Sequence, residues 1–189
     1  VPSTFYKYTY QFIREEGESY GRYNIWNGCK EYTILDLEKL SKNYDFFDIR
    51  RIEISNDEDN IAFSLDTKGD GLCKIYIKKY FEDKLRIINI NSEVINVTGP
   101  TIIKYLNTGE FCWSFNSFKL YYITVDESHR PNKLWYYNLL NDMHDCIYEE
   151  IDETYTLGLV TTDDREYVLL VSQSKTTVES YILYEYGTD

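Results

Sequence analysis

Asp126, Glu127, Ser128, His129 and Arg130 bring two acids, a hydroxyl, an imidazole and a guanidinium together within five positions. These are the types used in nucleophilic catalysis, where a base takes the proton of a hydroxyl and a carboxylate orients the base. The flanks decide the reading. Tyr121 to Val125 before the cluster and Leu134 to Tyr137 after it are strand-like apolar runs, so the five residues occupy a hairpin turn. His129 and His144 are the chain's only imidazoles, neither stands beside a recognisable nucleophile, and there is no Gly-x-Ser-x-Gly elbow. No catalytic residue is assigned.

Other candidate chemistry reads as structural. The stretch from Asp66 to Ile77 has Asp66, Asp70 and Gly71 at the first, fifth and sixth places of a calcium loop. Lys68 and Ile77 stand at the third and twelfth places, and the twelfth needs a bidentate Glu, so a glycine-rich hairpin turn explains the stretch better. Glu149-Glu150, Asp152-Glu153 and Asp163-Asp164 are adjacent acids; neighbours on a strand point to opposite faces and do not converge on one bond. They read as solvated edge charge. Cys29, Cys73, Cys112 and Cys146 lack zinc or redox spacing and read as reduced thiols. Neither a metal nor another cofactor is expected.

Twenty tyrosines against the single alanine Ala62 favour half-buried pleated surface over helix. A net charge of −12 opposes a nucleic-acid partner, whose affinity rests on phosphate neutralisation by Lys and Arg. The sequence has no signal peptide, basic leader or long apolar run, which predicts a cytoplasmic protein without a membrane partner. The sequon Asn96-Val97-Thr98 bears on glycosylation only in a secreted protein.

Short apolar runs alternate with polar turns about every ten residues, the pattern of an all-β protein. The helix expected over Ile34 to Asn43 is the exception, with Leu37 and Leu40 on one face. Three hairpins share one form: apolar strand, hydroxyl residue (Ser64, Thr124 or Ser172), polar turn, tyrosine-rich strand. Each is preceded by a further strand, and "LRIINI" and "DCIYEEI" supply a fourth to the first two hairpins. Four antiparallel strands recurring at about fifty residues predict β-propeller blades. "TFYKYTYQF", "GRYNIW" and "EYTILD" read as three strands of an earlier blade. Residues 1–189 thus hold about two whole blades with a partial blade at each end, and read as an incomplete propeller cut from a longer protein.

An ordered set of residues resembles the prolyl oligopeptidase family of serine peptidases, most of all its oligopeptidase B branch: Arg130-Pro131 with Lys133 and Trp135, then Tyr148-Glu149-Glu150 and Asp152, then Ser174-Lys175-Thr176-Thr177. Asn132 stands where an aromatic is common in that family, and "SNDEDN" replaces its usual Pro-Asp-Gly turn. The resemblance implies an N-terminal propeller of seven blades, gating a C-terminal α/β-hydrolase domain of the same parent protein. In that family the catalytic Ser, Asp and His lie in the hydrolase domain, and none maps onto residues 1–189. It also implies short, basic peptides as substrates, cut after Arg or Lys. Turns between second and third strands share one rim of a propeller, so Asp66 to Gly71, Glu127 to Asn132 and Ser174 to Thr177 are expected together, with Asp126, Glu127 and Arg130 at the contact with the hydrolase domain. The alternative is a propeller module for protein–protein interaction with no attached chemistry.

Overall fold

The computed structural model describes residues 7–81 and 101–183. A first antiparallel sheet contains β1 (Thr9–Ile13), β2 (Arg22–Trp26) and β3 (Glu31–Asp36). The second contains β4 (Asp48–Ile54), β5 (Asn60–Asp66), β6 (Cys73–Lys79), β7 (Thr101–Trp113), β8 (Lys119–Val125), β9 (Pro131–Asn138) and β10 (Met143–Glu149), paired in sequence order. The third contains β11 (Thr156–Thr161), β12 (Val168–Gln173) and β13 (Val178–Leu183). Among the described residues no helix is long and apolar enough to cross a membrane.

Period-two side-chain alternation explains how seven strands in one order are buried. On β5, Ile61, Phe63 and Leu65 join a core with Ile25, Ile34 and Leu35 of the first sheet, whereas Ala62 joins one with Phe111, Trp113, Leu120 and Tyr122. On β8, Leu120 and Tyr122 face that second core, and Tyr121 and Ile123 pack with Leu157, Leu159, Val168 and Leu170 of the third sheet. The second sheet therefore folds over on itself, and β4–β6 lies against β7–β9.

The fold-over runs through β7. Thr101, Ile102 and Ile103 pair with Ile77, Tyr76 and Ile75 of β6, and Phe111, Cys112 and Trp113 pair with Tyr122, Tyr121 and Leu120 of β8. Between these ladders the buried Asn107 donates from Nδ2 to the Cys73 carbonyl at 3.0 Å and accepts the Gly109 N–H at 2.8 Å. The Ser64 hydroxyl donates to the Gly109 carbonyl at 2.9 Å. Gly109 has φ +90°, and a β-carbon there would lie 2.9 Å from Arg50 Cβ and 3.0 Å from both Cys73 Sγ and Ser64 Oγ.

The sequence reading differs from this at three places. Sheets of three, seven and three strands replace the expected separate four-stranded sheets, because β7 belongs to two ladders at once. The strand expected at "LRIINI" lies outside the described residues; among the described residues β6 pairs with β5 and with the Thr101 stretch of β7. The helix expected over Ile34 to Asn43 is only the single turn α1 (Leu37–Ser41), since Ile34 and Leu35 are buried in β3. Asp36 starts the helix by accepting the Lys39 N–H at 2.8 Å.

Turns joining first to second strands repeat one design. Ser55, Ser114 and Thr162 each donate a hydroxyl to an Asx side chain two residues on (Asp57, Asn116, Asp164), and the next residues, Glu58, Ser117 and Arg165, have φ between 58° and 64°. A glycine would enter this left-handed conformation at least cost. Glu58 offsets the cost with contacts: its carboxylate accepts the Lys7 N–H at 2.5 Å and the Tyr10 hydroxyl at 2.7 Å, tying β1 to the second sheet.

Gly109→Ala combines positive-φ strain with three close contacts and is expected to destabilise the protein by about 3 kcal/mol. Urea denaturation of the variant against wild type measures it.

Candidate functional site

The three second strands β5, β8 and β12 end alike, with a buried hydroxyl followed two residues later by a turn-capping acceptor. After Ser64 comes Asp66, whose Oδ1 accepts the Lys68 and Gly69 N–H groups at 2.9 and 2.7 Å while Oδ2 accepts that of Gly71 at 2.8 Å. After Ser172 comes Ser174, whose hydroxyl oxygen accepts the Thr176 and Thr177 N–H groups at 3.3 and 3.1 Å. Burial opposes the charge on Asp66, yet its backbone donors keep the carboxyl below its ordinary range. This explains the calcium-like spacing as a hydrogen-bonded turn. Among the described residues no group of three or more His, Cys, Asp or Glu could hold a metal ion.

The third of these turns follows Thr124 and contains the five-residue cluster. Asp126 Oδ1 accepts the Ser128 hydroxyl at 2.8 Å, the Ser128 N–H at 2.9 Å and the Arg130 N–H at 3.0 Å; Oδ2 accepts from Arg130 Nε at 2.9 Å. The Ser128 hydroxyl, with the Arg130 N–H and guanidinium, holds the Asp126 carboxyl down at about 2. Ser128 thus spends its proton on a carboxylate, and the exposed His129 has φ +64° at the tip of the turn. The turn does not form a serine–histidine pair.

Arg130 reaches beyond its own hairpin. Its Nη1 donates to the Asp152 and Tyr155 carbonyls at 2.9 and 3.0 Å, and Nη2 to that of Glu150 at 3.3 Å; the side chain is only 13% exposed. These carbonyls lie on the crossover from β10 to β11, joining the second and third sheets. Glu150 completes the joint, accepting the Asp152 N–H, the Tyr148 hydroxyl and the Ser172 hydroxyl at 3.0, 3.0 and 2.9 Å. Burial would raise the Glu150 carboxyl, but these donors hold it below the usual range. The structure brings together Arg130, Tyr148, Glu150 and Asp152 from the ordered set, while Glu149 turns away to pair with Lys133 at 3.1 Å. Glu127 is exposed at the edge of the turn.

Sequence reasoning missed two features. A cleft of about 490 Å³ lies where β4, β7 and β11 approach, lined by Arg51, Glu53, Trp113, Leu159, Thr162 and Arg165. Arg51 pairs there with Glu53 and, at 3.3 Å, with Glu110. The alternation of charge along β4, Arg51 then Glu53, was the only available signal. His144 is the second: its Nδ1 lies 2.9 Å from the Tyr122 hydroxyl and its ring 4.9 Å from that of Tyr137. Burial pushes the imidazole down to about 4, against the opposing pull of Asp142 and Asp145.

Arg130→Ala removes donors from Asp126 and from three carbonyls and is expected to cost about 2 kcal/mol, with Arg130→Lys recovering only part because an ammonium cannot reproduce the planar fork. Thermal unfolding of both variants reads this out. His144 stays neutral in the native state but takes up a proton near pH 6.5 when unfolded, so its stabilisation is complete above about 6.5 and is lost as pH falls toward 4. The stability gap between wild type and His144→Gln should therefore shift against wild type from pH 7 to pH 4, measured as unfolding midpoints.

Residues 1–185 match the family model described as the prolyl oligopeptidase N-terminal beta-propeller domain. Protease 2 of Moraxella lacunata is 28% identical over 156 residues, which cover 81% of this chain and 21% of that protein. Oligopeptidase B from Leishmania major superposes with a TM-score of 0.75 at 24% identity, over 95% of this chain and 24% of that one. The closed form of oligopeptidase B from Trypanosoma brucei with covalently bound antipain gives 0.74 at 21% identity, with the same coverage. This chain spans about a quarter or less of the length of these relatives. The folded-over stack of antiparallel sheets, joined at Gly109 and at the Arg130–Glu150 crossover, is thus a propeller architecture, and the chain belongs to the prolyl oligopeptidase family through its N-terminal β-propeller domain.

Proposed function

We propose that this chain is the gating propeller of a cytoplasmic serine oligopeptidase that cuts short peptides after Arg or Lys. The family match across residues 1–185 carries the reading. In it, residues 1–189 contribute two whole four-stranded blades and part of one at each end of a seven-bladed ring, with β7 ending one blade and beginning the next. The catalytic serine, aspartate and histidine belong to a hydrolase domain elsewhere in the parent protein. A net charge of −12 supports cationic peptides as substrates, because a negative field concentrates them near a channel mouth.

The rim of the β8–β9 turn faces the hydrolase domain in this proposal. Glu127 offers an exposed charge to the seam, and Asp126 and Arg130 fix the shape of the turn that carries it. Their role at the seam is therefore to hold a surface in place.

The test is fluorophosphonate labelling of the full-length protein together with cleavage of fluorogenic peptides ending in Arg, Lys or Pro. Labelling with cleavage after Arg or Lys is the expected result. A folded protein that takes no label and cuts none of them would overturn the peptidase reading and leave a protein-binding propeller.

A further inference from the structure

The hairpin joining β2 to β3 holds the chain's single Asn-Gly pair, Asn27-Gly28. The Asn27 N–H donates to the Lys30 carbonyl at 3.2 Å, and Asn27 Oδ1 accepts the Cys29 and Lys30 N–H groups at 3.0 and 2.8 Å. Residues 26–30 are exposed, and a β-carbon on Gly28, whose φ is +91°, would meet nothing within 4 Å. Among the described residues the Gly28 N–H has no hydrogen-bond partner. Thr9 of β1 pairs with Trp26, and the Lys7 N–H donates to Glu58 of the turn after β4, so this hairpin sits at the end of the sheets opposite the Asp66 to Gly71 turn. It stays clear of the seam proposed above.

An asparagine followed by glycine is open to attack by its own backbone, because an unhindered nitrogen stands beside the side-chain carbonyl carbon. The turn adds to this. Its two N–H groups on Oδ1 lie where donors stabilise the negative charge that this oxygen acquires during the attack, as an oxyanion hole does. Other capping asparagines lack one part of the arrangement. Asn116 Oδ1 accepts from the Ser114 hydroxyl and the Phe118 N–H at 3.0 and 2.9 Å, but the next residue is Ser117, which is 1% exposed. Asn141 Oδ1 accepts the Met143 N–H at 3.1 Å, and the side chain of Asp142 follows it.

We propose that Asn27 is a site of spontaneous deamidation in the folded protein. A base in solvent takes the Gly28 amide proton, and the nitrogen bonds to Asn27 Cγ. The Cγ–Nδ2 bond then breaks, and Nδ2 takes a proton from water and leaves as ammonia, giving a cyclic imide. Water opens the imide at either carbonyl to leave aspartate or isoaspartate. Aspartate keeps the turn, since its carboxylate accepts the same two N–H groups. Isoaspartate lengthens the main chain by one carbon between the paired Trp26 and Glu31, and so strains the hairpin that leads into the buried Ile34 and Leu35. The reaction needs no peptidase activity, so its outcome leaves the peptidase reading untouched.

The experiment ages the folded, full-length protein in mildly alkaline buffer and follows each asparagine by mass spectrometry of its tryptic peptides. Residues 23–30 form one such peptide, lying between Arg22 and the cleavage after Lys30. Asn27 is expected to convert at least about tenfold faster than Asn116 or Asn141, which lack the glycine. It should also convert at least as fast in the folded protein as in a synthetic peptide of residues 23–30, because the two donors on Oδ1 offset the freedom lost in the turn. Methyl transfer by an isoaspartate-specific carboxyl methyltransferase should label the aged wild type and fall away in Asn27→Gln, whose longer side chain disfavours the ring. Three results each overturn the proposal: Asn27 unchanged in the aged protein, conversion no faster than at Asn116 and Asn141, or conversion slower in the folded protein than in the peptide.

Discussion

A strand such as β5 or β8, apolar on both faces, has to be covered twice, and this constraint shapes the molecule. Ile61 and Phe63 need the first sheet on one side, and Ala62 needs Phe111 and Trp113 on the other. The layers must then be joined by chain that leaves one sheet and enters the next, where backbone polar groups lose their ladder partners. Each joint is buried and polar. At β7, Asn107 and Ser64 satisfy the backbone around Gly109; after β10, Arg130 and Glu150 satisfy the backbone of the crossover. Stacking supplies the apolar stabilisation, and these side chains fix where each layer stops.

The polar joints also keep the turn surfaces in register. Asn56 Nδ2 donates to the Ser114 and Phe115 carbonyls at 3.2 Å, and the Asp57 N–H donates to Ser117 Oγ at 2.9 Å, so the turn after β4 is fastened to the one after β7. Turns held in this way can carry Glu58 and Ser117 at positive φ, where an isolated hairpin would favour glycine. The hydroxyl–Asx hydrogen bond and the cross-layer contacts thus set the turn after β4 without a Pro-Asp-Gly sequence.

Most of the strands and their antiparallel hairpins were legible because period-two alternation and recurring turns are local signals. The repeat of hydroxyl residues was legible too, and the buried positions of Ser64, Thr124 and Ser172 give it a common cause: each stands two residues before a turn-capping acceptor. What escaped was set by contacts distant in sequence. Nothing near Thr101 announces that it pairs with Ile77, and nothing near Arg130 announces that its guanidinium ends on carbonyls at Asp152 and Tyr155. The helix was overextended because leucine spacing around Leu37 and Leu40 is the same whether Ile34 starts a helix or ends a strand. Burial of Ile34 and Leu35 against the second sheet decides it, and that is a tertiary fact.

The five-residue cluster shows how composition misleads without geometry. Asp126, Ser128 and His129 have the identities of a catalytic set, yet an Asx-type turn consumes them: the carboxylate collects the hydroxyl and two N–H groups, and His129 takes the positive-φ corner. A catalytic serine needs a base to receive its proton, whereas here the only neighbour accepting it is a carboxylate held at about 2, a poor base at neutral pH. The same hydrogen bonds that disqualify the cluster as a nucleophile make it rigid. A rigid turn with Glu127 exposed at its edge is suited to holding a surface in place, because groups already fixed by hydrogen bonds lose little freedom when that surface is covered.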